Sequence, residues 1–329
     1  PAWTGEREDR LSDPKYDGHQ QNGSAMLALI TGTGRSGTTL VQETLSRHPA
    51  AGFISGLDDK LPKLNLTGRY NGRLYRWMPQ RDSRMRALQE STKLLERGRL
   101  RIAPSEAYGL IDRHVFAGFS KPCRDLLAED MTPYLQPRVA EFFNSRIHSQ
   151  GCEVLLQHLT GWPRTGFLRA AVPDLRVINV VRDGRAVASS WLQMGWWDGW
   201  RGPDNWFLGP LDAELRQEWE DSGRAFPVLA ALGWKMLMSA FDDAQALCPP
   251  DQWLNVRYED VLADPRTVFA TMLDFLGLEW DQSFEAGFGR HMIRGGRAAA
   301  YREELTPAQL SAVEAVLEKP LSRWGYRPA

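Results

Sequence analysis

The sequence predicts an α/β fold three layers deep, a central parallel sheet flanked by helices. Two observations carry this expectation. Strand-length apolar runs recur along the chain, and each passes through a turn into a segment with helical spacing, an alternation that sets parallel strands between helical layers. The 329 residues, 43% hydrophobic and 25% charged, are also enough for one elaborated domain with a substantial core.

Residues 1–24 are rich in Asp, Gly, Gln and Asn and read as a polar N-terminal arm, which leaves 25–329 as a single domain. Met26 to Ile30 is a continuous apolar run, the mark of a strand buried on both faces. A Gly-rich turn follows, then a helix expected from about Thr38 to Arg47 with Leu40, Val41 and Leu45 inward. It stops at His48-Pro49, because the residue before a proline disfavours helical dihedrals. The unit recurs at Arg176 to Val181, which leads through Arg182-Asp183-Gly184 into a helix from about Arg185. It occurs a third time at Trp253 to Arg257. There Asp264-Pro265 supplies an N-cap and a first-turn proline, and Val268, Met272, Phe275 and Leu276 are expected on one helix face. Longer helical stretches span Pro133 to Gln150 and about Leu211 to Leu247, the second interrupted at Pro227. Thr306-Pro307 opens a last helix with Leu310, Val313 and Leu317 inward. In such a sheet ligands lie at the carboxyl ends of the strands.

A net charge of -1 offers no general attraction to nucleic acid, so any anion site must be local. Cys123, Cys152 and Cys248 are odd in number and lack metal or redox spacing, which favours a reducing, cytoplasmic compartment. No apolar run is long enough to span a membrane. The chain begins Pro-Ala-Trp without an initiator methionine or a signal-peptide core. A homodimer, or a domain cut from a larger polypeptide, stays open.

The chemistry concentrates in Gly32-Thr33-Gly34-Arg35-Ser36-Gly37-Thr38-Thr39. A loop of this kind, where a strand hands over to a helix, aims successive backbone N–H groups and the helix N-terminus at an anion. Its glycine spacing is P-loop-like, but a nucleotide-triphosphate loop needs Lys then Ser or Thr after the second glycine, and Thr38-Thr39 stand there. The cation sits earlier, at Arg35, whose planar fork suits an oxyanion. A ligand-free turn is the plain alternative.

Arg35-Ser36-Gly37-Thr38-Thr39 resembles the 5′-phosphosulfate loop of the sulfotransferases that use 3′-phosphoadenosine 5′-phosphosulfate (PAPS), in particular the bacterial and tyrosylprotein branch. Val181 to Ser190 resembles that family's 3′-phosphate segment, with Arg182 and, eight residues on, Ser190. Arg257-Tyr258-Glu259-Asp260 resembles its pattern after the third strand, where a tyrosine lies near adenine. Arg290, Arg294 and Arg297, with Gly289, Gly295 and Gly296, look like its late basic loop, and Trp324 to Pro328 also fits the branch. The donor motifs thus fall at 31–40, 176–190, 253–260 and 289–297. The resemblance implies that Gly34, Arg35, Ser36, Gly37, Thr38 and Thr39 hold the sulfuryl and 5′-phosphate end, with Arg182, Ser190, Arg294, Gly296 and Arg297 on the 3′-phosphate and Tyr258 by the adenine. It implies PAPS as donor, 3′-phosphoadenosine 5′-phosphate (PAP) as product, and no metal.

Sulfuryl transfer needs cationic positioning and a proton acceptor. Arg35 supplies the first. Asp59, then Asp58, are the nearest counterparts of the branch's glutamate base, with His158 as a further candidate. Residues of about 55–150 and 191–250 are expected to bind the acceptor, a small molecule or a carbohydrate- or lipid-linked hydroxyl. The six tryptophans between Trp191 and Trp219 could stack on it or simply pack. The rival readings are a nucleotide-dependent phosphotransferase and a non-catalytic nucleotide-binding module.

Overall fold

The computed structural model describes residues 25–78, 102–291, 293 and 298–327. The expected arm, residues 1–24, lies outside them. Among the described residues five parallel strands form one sheet: β1 (Met26–Gly32), β2 (Ala51–Phe53), β3 (Val154–Thr160), β4 (Arg176–Val181) and β5 (Trp253–Arg257). Their order is β2-β3-β1-β4-β5, so β1 is central and its neighbours on both sides come from far along the chain.

Alternate side chains of these strands build two cores, one per face. Leu27, Leu29, Leu155, Leu159, Val177 and Val181 join one cluster, whereas Ala28, Ile30, Leu156, Ile178, Val180 and Val256 join the other. Each fully buried Leu or Ile contributes about 2 kcal/mol.

The helices divide between the faces. On the second face lie α1 (Thr38–Leu45), burying Val41 and Leu45, and, beyond β5, the helices Tyr258–Ala263 and Pro265–Leu276. On the first lie Leu135–Gln150, Thr165–Ala171, Gly184–Leu192, Phe226–Ala246 and Pro307–Arg323. Three short helices with functional neighbours, Gly56–Lys60, Asn71–Trp77 and Tyr108–His114, stand beyond β2 in the chain. Among the described residues no helix is long and apolar enough to cross a membrane.

Three expectations change. β3 and β2 add to the three strands read from the sequence. β3 carries Gln157 and His158 in its middle, and both are buried because both are partnered. Gln157 Nε2 donates to the Glu106 carbonyl at 2.9 Å, and His158 Nε2 lies 2.7 Å from Thr38 Oγ1. The helix after Asp264 buries Phe269, Met272, Leu273 and Leu276, with Val268 and Phe275 only partly covered. The break in the 211–247 stretch falls between Asp221 and Phe226. Pro227 sits in the first turn of the second helix, where no backbone donor is required.

Candidate functional site

The loop after β1 has a backbone that its sequence explains. Gly34 and Gly37 take φ of 83° and 95°, and Arg35 is held at φ 58° between them. A left-handed arginine stores strain of the kind concentrated at functional sites. Gly37 is also the N-cap of α1 and offers no side chain. The first amides of α1 are therefore open to an anion, which the helix dipole favours. A Cβ on Gly37 would stand 2.3 Å from the Tyr258 ring, so only glycine lets that ring close on the loop. Buried Ser36 Oγ has no partner among the described residues, a donor left at the base of the loop.

The flank toward β4 and β5 is cationic. Arg35 Nε donates to Ser190 Oγ at 3.0 Å, and Arg182 Nη1 donates to the Arg35 carbonyl at 2.8 Å. The Arg182 guanidinium also lies 4.8 Å over the Tyr258 ring. Residues 35, 182, 190 and 258, scattered in sequence, thus meet around one loop. Local capping holds them there. Asp183 accepts from the Arg185 backbone N–H at 2.9 Å and starts Gly184–Leu192, whose last turn presents Ser190. Glu259 Oε1 accepts from the Asp183 N–H at 3.2 Å, while its Oε2 accepts from Tyr326 Oη at 2.8 Å. The C-terminal tyrosine thereby ties the turns after β4 and β5 together. Burial and the Glu259 carboxylate push its phenol well above the usual range.

The flank toward β3 and β2 is acidic. The segment before helix Tyr108–His114 runs beside the end of β2, with Gly56 N bonded to Ala103 O at 2.8 Å and Ser105 N to Ile54 O at 3.0 Å. It delivers Glu106, whose Oε1 accepts from Thr160 Oγ1 at 2.6 Å. Burial raises the Glu106 carboxyl above its ordinary range, and the nearby Asp59 charge adds to this, against the Thr160 bond and Arg164. Tyr108 Oη donates to the Thr160 carbonyl at 2.9 Å, and Arg164 Nη1 to the same carbonyl at 3.1 Å. Asp125 fixes this arginine by accepting from its backbone N–H at 2.7 Å, and burial pushes the Asp125 carboxyl up to about 6.

The residues expected to supply a base are placed as follows. Asp58 is buried, and its Oδ2 accepts from Ser55 N, Ser55 Oγ and Asn71 Nδ2 at 2.9, 2.8 and 2.5 Å, which closes a capping box on Gly56–Lys60. Asp59 accepts from the Leu110 N–H at 3.1 Å and from Ser105 Oγ at 3.3 Å, and so caps the first turn of Tyr108–His114. His158 is buried beneath α1 against Thr38, and desolvation lowers it to about 4. Thr39 is exposed on the first turn of α1. Arg294, Gly296 and Arg297 lie outside the described residues. Of the tryptophans, Trp191, Trp206 and Trp219 are core, whereas Trp196 and Trp200 are exposed. The sequence reading did not single out Glu106, Thr160 or Arg164 as site residues. Their grouping depends on the segment 103–106 lying beside the ends of β2 and β3, which no local motif announces. Among the described residues no group of three or more His, Cys, Asp or Glu side chains could hold a metal ion.

Comparison with known proteins gives a family. Residues 28–282 match the model described as "Sulfotransferase family". Similar solved structures include the sulfotransferase domain from the curacin biosynthetic pathway, at 14% identity and TM-score 0.51, covering 93% of this chain and 99% of that one. Sulfotransferase STF9 from Mycobacterium avium is similar at 15% identity and TM-score 0.53, covering 93% of this chain and 78% of that one. At these identities the two structures speak for the fold. A comparison with curated proteins gave no match.

Proposed function

This chain belongs to the sulfotransferase family, and from that premise we propose that it moves a sulfuryl group from PAPS to an acceptor hydroxyl, releasing PAP. An amine is the second choice of nucleophile. The observation that carries the choice of donor is the 3.0 Å contact between Arg35 and Ser190. It draws the loop after β1 and the helix after β4 into one cradle, as a ligand with phosphates at both its 5′ and 3′ positions requires.

The residues present suit that ligand. The left-handed glycines, the uncapped amides of α1 and the partnerless Ser36 hydroxyl would take the 5′-phosphosulfate end, with Arg35 beside it. Arg182 and Ser190 would take the 3′-phosphate together with Arg294, Gly296 and Arg297, and Tyr258 would lie near the adenine. Bound PAPS supplies a sulfuryl group already joined to a phosphate leaving group. The protein's part is to align it, screen its charge with guanidinium groups and accept a proton. Thr38 supports sulfuryl over triphosphate chemistry, because its hydroxyl is engaged with His158 where a phosphotransferase would present lysine. On the same grounds we propose a metal-free, in-line transfer.

We place acceptor binding in about 55–150 and 191–250, and take the acceptor to be a small molecule or a carbohydrate- or lipid-linked alcohol. The three free cysteines accord with a reducing, cytoplasmic setting. The test is transfer of ³⁵S-sulfate from labelled PAPS to a panel of alcohols and phenols without added metal. Transfer abolished by Arg35→Ala supports the reading. Phosphoryl transfer from ATP, or PAP binding with no turnover of any acceptor, would replace it with one of the rivals.

A further inference from the structure

The loop after β1 stands between unlike neighbours, Arg182 and Ser190 on the β4 side and the Glu106 carboxylate, held by Thr160 and facing Arg164, on the β3 side. Resting on the reading above, we propose that Glu106 is the general base, its Oε2 taking the proton of the acceptor hydroxyl.

The placement comes first. Thr160 ends β3 in register with Gly32, and the Gly161 N–H donates to the Gly32 carbonyl at 3.0 Å. Its Cβ lies 3.8 Å from where a Cβ on Gly34 would stand. Glu106 Oε1 is anchored to Thr160 Oγ1 at 2.6 Å. The carboxylate is therefore one side chain away from the loop, on the flank opposite Arg182 and Ser190.

The second argument is availability. Among the described residues Glu106 Oε2 accepts from no donor. Asp58 is buried with three hydrogen bonds on its Oδ2, Asp59 accepts through Oδ1 from the Leu110 N–H and through Oδ2 from Ser105 Oγ, and His158 lies buried beneath α1.

The third is proton affinity. The groups facing Glu106 are Asp59 from helix Gly56–Lys60, Tyr108 from the first turn of helix Tyr108–His114, Thr160 from the end of β3 and Arg164 from the turn beyond it. Burial and Asp59 make the carboxylate more basic, while the Thr160 bond and Arg164 act in the opposite direction, toward the ionised form. A base is more effective the nearer its affinity comes to the operating pH. In the step itself the acceptor oxygen forms the new O–S bond and the S–O bond to the 5′-phosphate breaks. The electron pair of that bond stays on the phosphate, and the hydroxyl proton passes to Glu106.

Glu106→Gln and Thr160→Val test this in the full chain. Calorimetry reads PAP affinity. ³⁵S transfer from PAPS is followed against pH with glycerol, octyl glucoside, tyramine and p-nitrophenol, and hydrolysis of PAPS counts water as acceptor. Glu106→Gln keeps the accepting oxygen for Thr160, so PAP affinity should stay within about threefold. Turnover of the alcohols should fall about 10²- to 10³-fold. The loss should be much smaller for p-nitrophenol, which is largely ionised already at mildly alkaline pH, and the acid limb of the kcat profile should vanish. Thr160→Val removes a bond that favours the ionised form, so it should move that limb to higher pH. Turnover of the alcohols within about threefold of the parent overturns the proposal. So does an equal loss on alcohols and p-nitrophenol with the acid limb unmoved, which would mark Glu106 as structural. So does a parent chain that binds PAP but consumes no PAPS. Failure of the parent to bind PAP is a different result, which overturns the donor reading and this proposal with it.

Discussion

The two flanks of the β1 loop are built in different ways. On the β4 side Arg35, Arg182 and Ser190 each sit on a strand-turn-helix unit, and their contacts follow from local rules of turn and cap. On the β3 side Thr160 and Arg164 follow one another at the end of β3, and Glu106 reaches them from a distant segment that runs beside the end of β2 and bonds to Gln157 of β3. A phosphate can be held by consecutive backbone amides, so its site leaves a motif. A proton acceptor for a particular substrate needs one side chain at one place, and any segment that reaches there will serve.

The comparison can be broken or sharpened by substitution, from the largest effect down. Arg35→Ala should lower kcat about 10³-fold, the upper end for removing one donor to developing negative charge, measured as ³⁵S transfer under saturating PAPS. A loss under tenfold would mean that the cationic flank positions rather than stabilises. Arg182→Ala should weaken PAP binding about 10- to 100-fold by calorimetry, the scale of a charge-assisted hydrogen bond. Ser190→Ala should cost less, about threefold to tenfold. Gly37→Ala puts a methyl into the Tyr258 ring at a positive φ, and should destabilise the fold by about 1–3 kcal/mol in denaturant titration. Wild-type stability with Gly37→Ala would show that Tyr258 need not touch the loop.

The smallest expected effect is a pH slope. His158 is lowered to about 4, below its ordinary 6.5, by burial alone. Its neutral form is the folded form, so its contribution is present above pH 6.5 and is lost as pH falls toward 4. The slope there is at most about 1.4 kcal/mol per pH unit for one proton. His291 is lowered to about 4 as well and contributes in the same window. His158→Gln should therefore remove about half of the histidine part of the slope in denaturant titrations between pH 4 and 6.5.

The same contrast explains what the sequence disclosed. β1, β4 and β5 were legible because a strand buried on two faces is an uninterrupted apolar run, as at Val177 to Val181. β3 was not, since Gln157 and His158 read as polar until Glu106 and Thr38 are found to partner them. β2, three residues long, is below what periodicity resolves. In Pro265–Leu276, apolar residues at 268, 269, 272, 273, 275 and 276 offer two overlapping stripes, and packing against the sheet selects the one through Phe269 and Leu273. Asp58 and Asp59 lie close to the loop in sequence, but a carboxylate just inside a helix start is as well suited to capping as to proton transfer. Only the partners of each oxygen distinguish the roles.

The central claim, that residues 32–39 together with Arg182 and Ser190 form a PAP-type donor site, is tested most directly by thermal shift. PAP at about 100 times its dissociation constant should stabilise the protein by about 2.7 kcal/mol. It should do so equally with and without Mg²⁺, and at the same PAP concentration the stabilisation should fall to about 0.4–1.4 kcal/mol in Arg182→Ala. Stabilisation by ATP with Mg²⁺ and none by PAP would contradict it.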